Sequence, residues 1–356
     1  MRPATPILGT LLLVGFACSA GKHAYGGDKV ASKSDHPARD ARLSPLPRTA
    51  PSPSDNPSTP EKIELGKRLF FDPRLSGKNT ISCASCHMPE RAFADGTTWN
   101  KGEAGIALAR NTPTILNTGF YESYFWDGRA NSLEEQALGP IRSEVEMNQD
   151  LDELEGELEA VPSYVDRFQA AFGSTPNRRD VARALAAFQR SLVTGPSPYD
   201  RYLAGDQTAL SEQAKRGLEL FQGRARCIEC HNGPTLSDGK YYRLGISEDD
   251  VGRAQVTGKK EDRYRFRTPS LRNVELTGPY MHDGSLKTLD DVLSFYYRGS
   301  PYTSIEGLTP ESPDLLGLRF SDLLDLEAFL KSLTGELPEV MAPDLPPLAR
   351  PRTVAR

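Results

Sequence analysis

Cys83-Ala84-Ser85-Cys86-His87 and, 144 residues further on, Cys227-Ile228-Glu229-Cys230-His231 are the stretches on which the reading of this chain turns. Two thiols three positions apart can reach the two vinyl groups of one haem and form thioethers. The adjacent histidine is then held under the iron as its proximal ligand. A zinc site would need the two pairs to meet, or further ligands close by. A redox dithiol has no use for a histidine directly after it, twice over. The motifs therefore predict two haem c groups, one on Cys83, Cys86 and His87, the other on Cys227, Cys230 and His231.

The residues leading into each motif repeat as well. Gly66-Lys67-Arg68-Leu69-Phe70 precedes the first and Gly217-Leu218-Glu219-Leu220-Phe221 the second. A helix feeding the same loop twice reads as duplication of one domain, with a boundary near residue 205. Ile63, Leu65, Leu69 and Phe70 include helical spacing, closed by the turn Asp72-Pro73. Helical patterns recur over 133–138, 151–158, 164–172, 180–192, 211–221, 288–297 and 321–333, with Ser211 as an N-cap. Residues 194–200 read as a break, and long alternating strand patterns are absent. The expectation is an all-α fold of two cytochrome c-like domains, 61–205 and 206–340, with long loops, little β and a tail at 341–356.

The N-terminal end addresses compartment. An eleven-residue apolar run, Ile7 to Ala17, stands behind Arg2. It is too short for a bilayer, which takes roughly 20 helical residues, and fits the centre of an export signal over 1–20. Cys18 is either lipidated, leaving it as a new N-terminus and anchor, or lies just before cleavage after Ala20. Both readings put the mature protein in the periplasm. Residues 21–60, with seven prolines between Pro37 and Pro60, read as a disordered tether. A net charge of −5 without a basic cluster argues against nucleic acid as partner.

Whether a haem protein is an enzyme depends on the second axial position: two protein ligands make an electron carrier, one leaves a face for peroxide or oxygen. The chain has 5 histidines, of which His23 and His36 lie in the tether and only His282 is left outside the motifs. In the folded first half the methionines are Met88, too close to its motif, and Met147. The first haem is therefore expected to keep an open face. For the second, Met281, His282, Tyr296 and Tyr297 are available.

With these residues in view, the chain resembles the bacterial di-haem cytochrome c peroxidases and the related MauG enzymes. The likeness runs from about Leu65 to Leu333. It is carried by LGKRLFFDPRLS from Leu65, ARNTPTILN from Ala109, FWDGRANSLEEQALGPI from Phe125, VEM from Val145, RTPSLRN from Arg267, LTGPYMHDGSLKTL from Leu276 and FYYRG from Phe295, besides the two haem motifs. The resemblance implies a peroxide-reducing haem in the first domain and an electron-relay haem in the second. It puts Glu146 on the catalytic acid/base, Gln136 on its distal partner and Trp126 between the haems. Asn111, Thr277 and Pro279 match the surroundings of a calcium ion. Taken singly, Glu146 would be a surface carboxylate, Trp126 core packing and Asn111 a turn residue.

Two departures from the ordinary peroxidases bear on mechanism. The loop from Trp99 to Arg110 lacks the histidine that in many of them caps the first iron until reduction releases it, so this chain is expected to be active in its di-ferric form. Where they carry a methionine ligand to the relay haem, this chain has Tyr296, as the MauG enzymes do; Met281 is the rival. The expectation is a MauG-like di-haem peroxidase that reduces hydrogen peroxide with electrons from a protein donor or protein substrate. An ordinary peroxidase fed by a small cytochrome c or cupredoxin, and a non-catalytic di-haem carrier, are the alternatives. A homodimer is also left open.

Overall fold

A computed structural model describes residues 42–299 and 318–348. The export signal with Cys18, the first part of the expected tether and the last residues of the expected tail lie outside these. Among the described residues no helix is long and apolar enough to cross a membrane.

The first half is built on α1 (Pro60–Phe71), α2 (Leu133–Arg142), α3 (Leu151–Glu159), α4 (Pro162–Phe172) and α5 (Arg178–Ser191). Proline at the first position and the Thr59 hydroxyl accepting from the Lys62 N–H start α1. Asn177, whose side chain accepts from the Asp180 N–H, starts α5. The second half holds α6 (Pro198–Leu203), α7 (Glu212–Gln222), α8 (Ala254–Thr257), α9 (Leu289–Arg298) and α10 (Phe320–Lys331). Ser211 and Thr288 cap α7 and α9. A short antiparallel pair, β1 (Tyr241–Arg243) with β2 (Arg265–Arg267), is the only named sheet among the described residues. The fold is mostly helical, with this small sheet as its minor β content.

The repeat seen in the sequence is a repeat of packing. Helix α1 crosses α5 at Gly66, where an added Cβ would lie 1.9 Å from the Ala184 carbonyl oxygen. Helix α7 crosses α10 at Gly217, where an added Cβ would lie 1.9 Å from the Asp325 carbonyl oxygen. One turn on, Phe70 meets Phe188 with ring centroids 5.2 Å apart and Phe221 meets Phe329 at 4.9 Å, tilted at 57° and 59°. Each glycine lets two helices approach closely enough for the phenylalanines behind it to interlock. Each pair anchors its own buried cluster.

Three boundaries differ from the sequence reading. Residues 42–60 are folded against both halves, not a tether: Leu43 is buried in the second core, and Asn56 is buried beside α2 and α5, bonded to Glu134 and the Arg183 carbonyl. Composition alone shows a segment too poor in apolar residues to fold by itself; it does not show that other elements supply the pockets. The break at 194–200 ends at Ser197, which with Asp200 forms a capping box and starts α6. Because Tyr199 and Tyr202 of α6 pack in the second core, that core begins before residue 205. Past Gly335 the chain returns to the first half, with Leu337 and Val340 on its core and Arg74 donating to the Pro346 and Pro347 carbonyls. Residues 341–348 are thus docked.

Candidate functional site

Each Cys-x-x-Cys-His stretch follows a core helix and forms one tight turn, Cys83–Ser85 and Cys227–Glu229. The His87 N–H donates to the Cys83 carbonyl and the His231 N–H to that of Cys227, both at 2.9 Å. The imidazoles are fixed identically. His87 Nδ1 lies 3.1 Å from the Phe93 carbonyl oxygen and His231 Nδ1 lies 3.0 Å from that of Leu236. A carbonyl only accepts, so Nδ1 carries the proton and Nε2 keeps its lone pair. Phe93 and Leu236 both have a left-handed backbone, φ 57° and 52°, which turns these carbonyls toward the rings. Burial holds both imidazoles below their ordinary pKa, hence neutral, the form that binds iron.

The thiols differ from those of a redox dithiol. Burial pushes Cys83 and Cys227 up to about 12, whereas disulfide-exchanging pairs depend on a lowered value. All four motif cysteines are partly accessible. Both motifs border one continuous cavity of roughly 1900 Å³, well above the 300–1,000 Å³ or so of ordinary small-ligand pockets. Paired thiols, a neutral histidine with a free nitrogen and a large apolar cavity together fit two haem c groups.

Gln136, Glu146, Trp126, Asn111, Thr277, Pro279 and Tyr296 all border that cavity, as do Met281, His282 and Tyr297. Glu146 sits in the loop after α2. Burial raises its pKa, against the pull of Arg129 and a hydrogen bond with Ser143. Trp126 is held at both ends: its Nε1–H donates to the Asn111 carbonyl at 2.9 Å, and its own carbonyl accepts from the Arg267 N–H at 2.8 Å. Asn111 is buried, donates from Nδ2 to the Thr97 carbonyl at 2.9 Å and from its backbone to the His282 carbonyl at 2.8 Å. Thr277 and Pro279 lie just after the turn Val274–Leu276. Among the described residues no group of three or more His, Cys, Asp or Glu is placed to hold a metal ion.

On α9, burial and then the Cys227 and Cys230 sulfurs push the Tyr296 phenol well above its ordinary range. Tyr296 lines the same cavity as Cys227, Cys230 and His231. Tyr297 packs partly on the second core. His282 is 5% exposed, stacks on Phe266 with centroids 3.7 Å apart, and its Nε2 has no hydrogen-bond partner among the described residues.

One polar cluster escaped the sequence reading. Arg110, against the Phe266 ring, donates at 2.6 Å to Asp127, the residue after Trp126, and in two bonds to Asp250 at 2.6 and 3.0 Å. Asp250 is 140 positions from Arg110, and no local pattern pairs residues so far apart.

A family model described as di-haem cytochrome c peroxidase matches residues 60–208. The methylamine utilization protein MauG of Methylorubrum extorquens is 42% identical over 324 residues, spanning 89% of this chain and 90% of that protein. The cytochrome-c peroxidase IdrP1 of a Pseudomonas species is 41% identical over 333 residues, spanning 83% of this chain and 86% of that protein. A solved structure described as a MauG-like protein associated with microbial copper homeostasis aligns with a TM-score of 0.74 and 34% identity, over 86% of this chain and 96% of that one.

Proposed function

The chain belongs to the di-haem cytochrome c peroxidase and MauG family, and on that premise we propose how its residues divide the work of a di-haem peroxidase. The protein is an oxidoreductase with two covalent haem c groups, hydrogen peroxide as its oxidant and an electron relay fed by a protein partner. Haem c on Cys83, Cys86 and His87 supplies the iron at which peroxide is reduced.

Glu146 takes the proton from one peroxide oxygen and returns it to the other, which then leaves as water. Its burial suits it to both halves of that transfer, since a raised pKa makes the carboxylate a better base near neutral pH. Gln136 holds the peroxide through its amide. Trp126 carries electrons between the two sites. Tyr296, with His231, would hold the iron of the haem on Cys227 and Cys230, which would make the protein MauG-like. The observation that carries this reading is that Tyr296 lines the cavity beside Cys227, Cys230 and His231; a phenolate ligand would stabilise the oxidised iron. Asn111 Oδ1 with the Thr277 and Pro279 carbonyls offers hard oxygens to one calcium ion. The export signal over 1–20 puts the protein in the periplasm.

The test has two arms. Purified di-ferric protein is mixed with peroxide without prior reduction, and it should react at once; a requirement for pre-reduction would overturn the reading of the His-free loop. Tyr296→Phe should change the absorption bands of the second haem alone. Unchanged bands would remove Tyr296 as ligand.

A further inference from the structure

The loop that lacks the capping histidine is built into the Glu146 segment. Lys101 and Ala107 pair as an isolated bridge, and the Gly102 N–H donates to the Ile106 carbonyl at 3.0 Å, closing the loop on itself. Its tip lies directly on the segment that carries Glu146. The Glu103 N–H donates to the Glu146 carbonyl at 2.7 Å. A Cβ on Gly102 would stand 1.9 Å from the Val145 carbonyl oxygen and 2.7 Å from that of Glu146, so only glycine permits this approach.

The next residues of the same segment are held likewise. The Gly77 N–H donates to the Met147 carbonyl at 2.9 Å, and a Cβ on Gly77 would stand 2.3 Å from the Asn148 carbonyl oxygen. Glu103 joins the Glu146 segment to residues 78–80. Its Oε1 accepts from the Lys78 N–H at 2.5 Å and lies 3.3 Å from the Thr80 hydroxyl. The chain then runs from Thr80 straight to Cys83.

We propose that Glu103 and Gly102 are positioning residues that clamp Glu146 to the turn bearing Cys83, fixing the carboxylate relative to the attached haem. The proposal rests on the reading of Glu146 given above. The loop is then a fixed part of the peroxide site, and the site is assembled before any reduction.

The holoenzyme with both haems is the material for the test, and the second-order rate of peroxide reaction is followed against pH for Glu103→Ala, Glu103→Gln, Glu146→Gln and the double variant Glu103→Ala/Glu146→Gln. A small displacement of a reacting group costs on the order of ten- to a hundredfold, so Glu103→Ala should lose about that much. Its acid limb should also move to lower pH, because a carboxylate released from burial returns toward its ordinary range while Arg129 still faces it. Glu103→Gln keeps the acceptor oxygen and should stay within a few-fold of the parent. The double variant should be no slower than Glu146→Gln, since the two residues act as one unit. A Glu103→Ala enzyme with parental rate and limb, or losses that multiply in the double variant, would overturn the clamp and leave Glu146 standing. A parental rate in Glu146→Gln would overturn both.

Discussion

The Trp126 indole N–H donates to the carbonyl of Asn111, whose own amide donates to the carbonyl of His282. Two hydrogen bonds thus connect an indole of the first half to a loop of the second. Trp126→Phe removes the first donor and leaves the carbonyl of a buried residue short of a partner. The cost should be about 1–3 kcal/mol, read as a lowered denaturant midpoint. If Trp126 carries electrons, stopped-flow reduction of the His87 haem through the His231 haem should also slow. A variant that loses stability but transfers electrons at the parental rate would make Trp126 a structural residue only.

Glu146→Gln should reduce the peroxide rate by roughly 10²–10⁴, the usual contribution of a positioned acid/base. The ionised carboxylate is the form that accepts the proton, so activity is present above its pKa and falls as pH drops through it. Burial raises that pKa. The acid limb should therefore lie above the ordinary glutamate value of about 4.3, and it should vanish in the variant. A limb that persists in Glu146→Gln would belong to another group.

Gly66→Ala and Gly217→Ala probe the duplicated helix crossing. Each methyl would fall 1.9 Å from a backbone oxygen, which no rotamer change can relieve. Overpacking of this kind costs about 1–3 kcal/mol or more. Both should lower the melting temperature by similar amounts. Two unequal shifts would show that one crossing relaxes and the other does not.

Arg272 is 1% exposed and donates to both Asp200 oxygens at 2.8 Å, while its Nε donates to the Pro234 carbonyl at 2.8 Å. Asp200 also accepts from the Leu46 N–H at 3.1 Å. Arg272→Ala leaves Asp200 charged and buried, an error that costs about 3–5 kcal/mol. Calorimetry should show it as a large stability loss. A small loss would mean that water enters and solvates Asp200.

What the sequence revealed was local. Helices α1, α5 and α7 could be read because apolar residues at helical spacing and good N-caps sit together in a dozen positions, and α10, entered from Arg319, from its apolar spacing alone. The two haem turns were readable because their chemistry is fixed within five residues. Features that need a distant partner were hidden. Ser197-Pro198 looks like a break until Asp200 is seen to cap it, and Arg110 has no visible role until Asp250 reaches it. The three-residue strands β1 and β2 are too short to show alternation. Glu146 would pass for a surface carboxylate without the surrounding motif, because burial by other segments is not written in its neighbours.

The ends of the described chain are exchanged between the halves. Leu43, near the beginning, lies in the second core, while Leu337 and Val340, near the end, lie against the first. A gene divided at residue 205 would consequently encode two fragments, each deprived of part of its own interior and each carrying an orphaned strip of the other. Single-haem fragments made in that way would report on truncation rather than on an isolated haem, so the two centres are better separated by point substitution in the whole protein.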